Sequence, residues 1–244
     1  MSNRFDGHRV VITGASRDFG RTLAIRFAQE GAEVFLGART LAGARKVRDE
    51  IRALGHDPVH PFACDLADPA SIREFAAEVA GATDRVDVLV NNGARWLEGA
   101  DLLSASDEDV VDTIAAGAIG TVLVTKNLLP LLLASERPDI VTMVSSCGAH
   151  GYSRSSAHDA FYAAKHAQAG FSDILSERLR GRGVRVIALY PPDFDNADPL
   201  SDDWESAPRT ADSTLTSQSL SECVLFAVGQ PRDCFIKSFH FEQA

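Results

Sequence analysis

Short runs of β-branched and other apolar residues recur along the chain, and between them lie longer stretches in which apolar positions return every three or four residues. The first short runs are 8–13, 33–38 and 59–64, separated by helical patterns over 21–30 and 42–54. A helix over about 71–79, a strand over 86–91, a long helix near 107–133 and a strand over 139–145 follow. Helix 161–180, strand 184–189, helix 220–228 and strand 234–241 close the series. Alternation of strand-length and helix-length patterns predicts βαβ units and a parallel sheet. Most of the strand runs (VVIT, VDVLV, IVTMV, VRVIAL) are apolar throughout, as expected where helices cover both faces of the sheet. The expected fold is α/β, a doubly wound three-layer αβα sandwich in one domain over 1–244.

One segment, 193–219, breaks the pattern. It is rich in Asp, Ser, Pro and Thr and is longer than the loops of compact domains usually are. It reads as a mobile lid over a substrate site, with a disordered surface loop as the plainer alternative. Substrate choice would rest with this lid, and its acidic residues disfavour an anionic substrate.

Composition narrows the function. A chain of 244 residues with 45% hydrophobic content can bury one large core. Its formal charge of -10 argues against a nucleic-acid partner, because phosphate backbones are bound by basic surfaces. The four cysteines, Cys64, Cys147, Cys223 and Cys234, show neither zinc spacing nor a disulfide framework, so they read as reduced thiols of a cytoplasmic protein that needs no metal. No stretch reads as the roughly 18 apolar residues of a membrane span, and no membrane partner is expected.

Candidate chemistry begins after the first strand. Thr13-Gly14-Ala15-Ser16-Arg17-Asp18-Phe19-Gly20 sits where glycines let a backbone turn tightly and approach a pyrophosphate at a helix N-terminus. The segment resembles the T-G-x-x-x-G-x-G fingerprint of the short-chain dehydrogenase/reductase family, with Asp18 at the middle glycine. That aspartate either brings negative charge toward the pyrophosphate or caps the first helix. At the end of the second strand, Gly37-Ala38-Arg39 stands where an acidic residue would bind the ribose of NAD. Arg39 and Arg17 suit a 2′-phosphate, so NADP(H) is preferred over NAD(H), unless both are merely solvated. Asp65-Leu66 is similar to the family's adenine-contacting pair, and Asn91-Asn92-Gly93-Ala94 to its N-N-A-G. The resemblance implies a Rossmann fold in which Gly14, Ser16, Arg17, Asp18, Phe19, Gly20, Arg39, Asp65, Leu66, Asn91, Gly93 and Lys165 border the cofactor.

The same resemblance implies a catalytic set of serine, tyrosine, lysine and asparagine, in which hydride moves to a carbonyl while the tyrosine transfers the proton. Ser145 takes the serine position by its spacing to Gly148, in preference to Ser146. Phe161-Tyr162-Ala163-Ala164-Lys165 resembles the family's Y-x-x-x-K helix, with Lys165 at the lysine and Phe161 at the tyrosine. Gly117 occupies the asparagine position, and Pro191-Pro192 replaces a P-G pair, which stiffens that loop. Tyr162 lies three residues from Lys165, on a neighbouring helix face, and is either a displaced acid or a structural tyrosine. Tyr152 is a second relocated donor, and His150, His158 and His166 surround the region with surface or capping roles as the plainer reading.

The expected function is an NADP-dependent oxidoreductase with a rebuilt or impaired proton donor, acting on a small carbonyl, alcohol or activated alkene. The alternatives are a non-redox enzyme of the same fold, such as a dehydratase, isomerase or cyclase, and a non-catalytic subunit paired with an active paralogue. The family resemblance further implies a homodimer or homotetramer.

Overall fold

A computed structural model describes residues 3–99 and 101–242. Strands β1 (Arg9–Thr13), β2 (Glu33–Ala38), β3 (Val59–Ala63), β4 (Val88–Asn91), β5 (Asp139–Met143), β6 (Arg185–Tyr190) and β7 (Ser238–His240) form one seven-stranded sheet. Its order is β3-β2-β1-β4-β5-β6-β7, and every pairing is parallel. The chain runs outward from β1 to β3, then returns to place β4 on the other side of β1. That reversal opens a crevice at the carboxyl ends of β1 and β4, where open α/β sheets bind ligands.

Among the described residues eight α-helices accompany the sheet: α1 (Asp18–Gln29), α2 (Leu41–Ala53), α3 (Pro69–Ala82), α4 (Asp107–Ile114), α5 (Gly120–Leu133), α6 (Asp159–Leu179), α7 (Asp202–Ser206) and α8 (Ser217–Val228). Successive strand residues point to opposite faces. Val10, Ile12, Val34 and Leu36 therefore pack on one side with Leu23 and Phe27 of α1, Val47 and Ile51 of α2, and Leu220 and Val224 of α8. Val11, Phe35 and Leu89 pack on the other with Ile72, Phe75 and Val79 of α3 and Val124 and Leu128 of α5. The expected three-layer αβα architecture is what the chain adopts.

Among the boundaries that differ from expectation, three have identifiable reasons. α3 begins at Pro69 because Asp68 caps it, accepting from Ala70 N at 2.8 Å, and proline suits a first helical turn. α8 begins at Ser217, capped by Thr216. β7 is confined to Ser238–His240; Cys234, at the expected start of the strand, gives its carbonyl to the Arg185 guanidinium at 2.8 Å.

The segment 193–219 has more structure than its composition suggested. It contains α7, with Trp204 buried, and closes on itself through Asp195 N to Leu215 O at 2.8 Å and Ser217 N to Asp195 O at 2.7 Å. It docks on α1 through the Arg21–Asp198 ion pair at 2.7 Å and the edge-to-face pair of Phe19 and Phe194, 5.5 Å between centroids.

The membrane expectation also needs correction. α4 and α5 join through a π-helical turn, Ala115–Ile119, into one 27-residue helix that is long and apolar enough to cross a membrane by length and composition, an 18-residue stretch of it having a mean hydropathy of 1.6. Its full extent, 107–133, is the one expected from the sequence; its charged residues are Asp107, Glu108, Asp109 and Asp112 in the first turns and Lys126 within it. In the fold this helix packs against α3 and α6.

Candidate active site

At the carboxyl end of β1, Gly14 holds φ +65°, and a Cβ on it would stand 2.6 Å from Gly93 Cα. A Cβ on Gly20 would collide with the Gly14 carbonyl, and one on Gly93 with the Leu66 side chain. The loops after β1, β3 and β4 are thus knitted together where only glycines fit. Thr13 secures the join, its Oγ1 accepting from Asn92 N and Gly93 N at 3.2 and 3.3 Å. The buried Asn91 amide donates to Thr125 Oγ1 at 3.0 Å, and the Asp65 carboxylate accepts from Ala67 N at 3.0 Å, turning the chain after β3. Leu66 packs beneath Gly93 and against Gly120, and Phe19 is buried. These residues shape the crevice by packing as much as by presenting polar atoms to it.

Asp18 is the second residue in this loop with a left-handed backbone, at φ +50°. A glycine adopts that conformation freely, whereas an L-residue is strained there by about 1–2 kcal/mol, with Asp among the better tolerated. The capping reading of Asp18 is not supported: Arg17 is the N-cap residue and no side chain caps α1. The Asp18 carboxylate instead lies 3.4 Å from the Arg17 guanidinium, with both side chains in solvent. Ser16 contacts the first turn of α2, near the exposed Arg39 and the Thr40 cap. Arg17 and Arg39 therefore stand at the ends of β1 and β2, and Arg39 makes no ion pair among the described residues.

The second half of the site lies across β5. Ser145, directly beyond the strand, holds φ +73° and ψ 154°, a region that is essentially glycine territory. Its Oγ accepts from Cys147 N at 3.3 Å, and Ser146 N is taken by Pro191 O at 2.8 Å. α6 starts under a His158 cap, whose Nδ1 accepts from Ala160 N at 3.1 Å. That bond settles His158 as a capping residue, while His150 and His166 are exposed.

Phe161 and Lys165 share the inner face of α6, one turn apart. Phe161 is buried against Trp96, edge to face at 4.9 Å, and Lys165 Nζ lies 5.3 Å from the Phe161 ring centroid. Lys165 is 4% exposed and donates to Met143 O at 2.7 Å and Gln168 Oε1 at 3.0 Å. Burial lowers its pKa to about 8, against a small opposing effect of the Cys147 thiol. The Tyr162 hydroxyl accepts from Ser155 N at 3.1 Å, and the residue packs with Tyr152 against the cluster of Cys147, Ala157 and Phe161. Burial raises its pKa, with the backbone N–H of Ser155 opposing. Ser145 and Lys165 thus both lie at the end of β5, and the two tyrosines gather beside Cys147 and Phe161.

Gln168, Trp96 and Cys147 escaped the sequence reading. Gln168 follows Lys165 by three residues, so the helical period alone places it on the same buried face. Among the described residues no group of three His, Cys, Asp or Glu side chains could hold a metal ion.

Comparison with known proteins agrees with this construction. Residues 8–205 match the family model for short chain dehydrogenases. A short chain dehydrogenase of Monascus purpureus is 35% identical over 190 residues, covering 76% of this chain and 64% of that protein. A dehydrogenase/reductase SDR family protein 7-like of Drosophila melanogaster is 31% identical over 192 residues, covering 78% of this chain and 58% of its own length. The matched region therefore spans less than two thirds of either relative. A metagenomic short-chain oxidoreductase solved with NADP superposes with a TM-score of 0.80 over 97% of each chain at 27% identity. With its crevice, glycine joins and match over residues 8–205, this chain belongs to the short-chain dehydrogenase family.

Proposed function

We propose that this chain is an NADP(H)-preferring oxidoreductase of small carbonyls, alcohols or activated alkenes, with Phe161 in the seat of the family's proton-donating tyrosine. The observation that carries the reading is the glycine-lined crevice of Gly14, Gly20 and Gly93 at the N-terminus of α1, flanked by the Arg17 and Arg39 guanidiniums. A Cβ at any of those glycines would collide with a neighbouring loop or carbonyl, so the loops after β1, β3 and β4 close up at the α1 N-terminus only with glycines there, which fits a dinucleotide site. NADPH, when bound, supplies the hydride.

Each residue then has a task. The backbone N–H groups at the start of α1 hold the pyrophosphate, and Arg39 with Arg17 pairs with a 2′-phosphate. Asp65, Leu66 and Asn91 frame the adenine side. Ser145 Oγ and Lys165 Nζ face the reacting carbonyl oxygen, and the proton comes from a group other than residue 161. Tyr162 is poorly suited to the role, since its hydroxyl is engaged by Ser155 N and its pKa is raised. Tyr152 remains a donor to be tested beside it. Segment 193–219 covers the substrate, held by its contacts with α1.

The protein is further read as a cytoplasmic homodimer or homotetramer. Its four free cysteines fit a reducing compartment, and the exposed Val111, Ile119 and Val122 along the α4–α5 helix offer an apolar face for a second copy.

The test is NADPH fluorescence titration followed by turnover on a carbonyl panel, with Tyr162→Phe, Tyr152→Phe, Ser145→Ala and Lys165→Met measured separately. Absence of NADPH binding would overturn the redox reading. A second reading is favoured by one observation: both hydrogen bonds of Lys165 point into the protein. In that reading the chain is a non-redox enzyme (dehydratase, isomerase or cyclase) or a non-catalytic subunit of an active paralogue. NADPH binding without turnover, together with a co-purifying reductase, would support the subunit form.

A further inference from the structure

We infer that Gln168 is the positioning residue of this site, tying the Lys165 ammonium to the π-helical turn at Gly117. The inference deepens the proposed role of Lys165 and rests on that reading for its functional meaning, although its geometry stands alone. Gln168 Oε1 accepts from Lys165 Nζ at 3.0 Å, while Gln168 Nε2 donates to Gly117 O at 2.9 Å and to Thr121 Oγ1 at 2.8 Å. Thr121 Oγ1 donates in turn to Gly117 O at 2.7 Å. Gln168 is 1% exposed, Lys165 4% and Thr121 3%, so no bulk water competes for these bonds.

The network fixes the amide in one orientation. Flipped, Gln168 would present its oxygen to the Gly117 carbonyl and its NH2 to an ammonium, two repulsions in place of two attractions. The Gly117 carbonyl, in the π-helical turn, accepts from two side chains, and such turns recur at functional sites. No side chain at residue 117 can make this link, because a Cβ there would stand 2.9 Å from Ala164 Cβ. The bridge therefore comes from the facing helix α6. Its other end holds Lys165 between two acceptors, Gln168 Oε1 and Met143 O. Among the described residues the one titratable group acting on Lys165 is the Cys147 thiol, across from it beyond β5; α6, β5 and the π-helical turn otherwise face it with uncharged groups.

A hydrogen bond to an ammonium favours its charged form, so Gln168 sustains the proton on Lys165 against burial. The experiment reads that proton directly. The chain has four lysines, Lys46, Lys126, Lys165 and Lys237, so the side-chain resonances of lysine-labelled protein can be assigned with Lys165→Met as the blank. Gln168→Leu is expected to move the Lys165 titration down by about one pH unit, the loss of one charge-assisted hydrogen bond. Gln168→Glu is expected to move it up by about one unit or more. Thr121→Val, which removes one of the two partners that orient the amide, should give a smaller downward shift and serves if the Gln168 variants do not fold. Opposite shifts in Leu and Glu would establish positioning, which a merely structural role would not produce. An unchanged Lys165 titration in the folded Gln168 variants, or in Thr121→Val if they do not fold, would overturn it. Because the readout needs no nucleotide, failure to bind NADPH would overturn the proposed function and leave this result standing.

Discussion

Gly117 and Ala164 meet where the π-helical turn crosses α6, and a Cβ on the glycine would stand 2.9 Å from the alanine's own. Gly117→Ala should therefore lower stability by about 1–3 kcal/mol, the cost of overpacking a tight contact. Gly117→Asn, which restores the residue type expected of the family, should cost more and should not improve turnover. Urea unfolding of both variants checks the order, and a stable Gly117→Asn protein with raised activity would contradict it.

Phe161→Tyr places a hydroxyl on the ring whose centroid lies 5.3 Å from Lys165 Nζ. If the chain reduces carbonyls slowly for want of a donor, this variant should raise kcat by about 10²-fold or more, the usual worth of a positioned acid. Steady-state kinetics with NADPH decides the matter; unchanged kcat with intact NADPH binding would mean the proton already has an efficient source.

At the nucleotide end, Arg39→Ala should weaken NADPH binding by about ten- to a hundredfold and leave NADH nearly untouched, since a charge-assisted bond is worth about 1.5–3 kcal/mol. Equal loss for both cofactors would remove Arg39 from 2′-phosphate recognition.

Asp18→Gly relieves the strain of φ +50° but adds freedom to the unfolded chain, and the two terms nearly cancel. Little change in Tm is expected. NADPH affinity should rise as the carboxylate leaves the loop, most strongly at low salt, where exposed charges are least screened. A salt-independent change would point to backbone geometry instead.

Lys165 also sets a pH dependence. Its pKa falls from 10.5 to about 8 on folding, so the folded state disfavours the ammonium. The resulting penalty, on the order of 3 kcal/mol, is fully present below pH 8 and is relieved as pH rises from 8 toward 10.5. Lys165→Met lacks this term. The stability of wild type relative to Lys165→Met should therefore improve between pH 7.5 and about 9.5, measured by denaturant midpoints. A constant difference would show that the lysine keeps its ordinary affinity for the proton.

Much of the nucleotide half was legible because it depends on local chemistry. A glycine-rich turn about ten residues into a βαβ pattern points to a nucleotide site, and the expectation for Arg39 at the end of β2 follows from its place in the order of elements. The catalytic half was less so. Lys165 was found by the likeness of 161–165 to the family's Y-x-x-x-K helix, but Gln168 looked like an ordinary polar residue until α6 was seen to bury that face. Asp18 illustrates a different limit, since residue type does not reveal a left-handed φ. Segment 193–219 has no periodicity because its order comes from partners far away in sequence, Asp198 pairing with Arg21 and Phe194 with Phe19.

That last pairing gives α1 two duties. The helix whose N-terminus faces the glycine crevice also carries Phe19 and Arg21, the anchors of segment 193–219. The two sides of the cleft consequently share one helix. Under the proposed function, the cofactor site and the substrate cover have a common footing in α1.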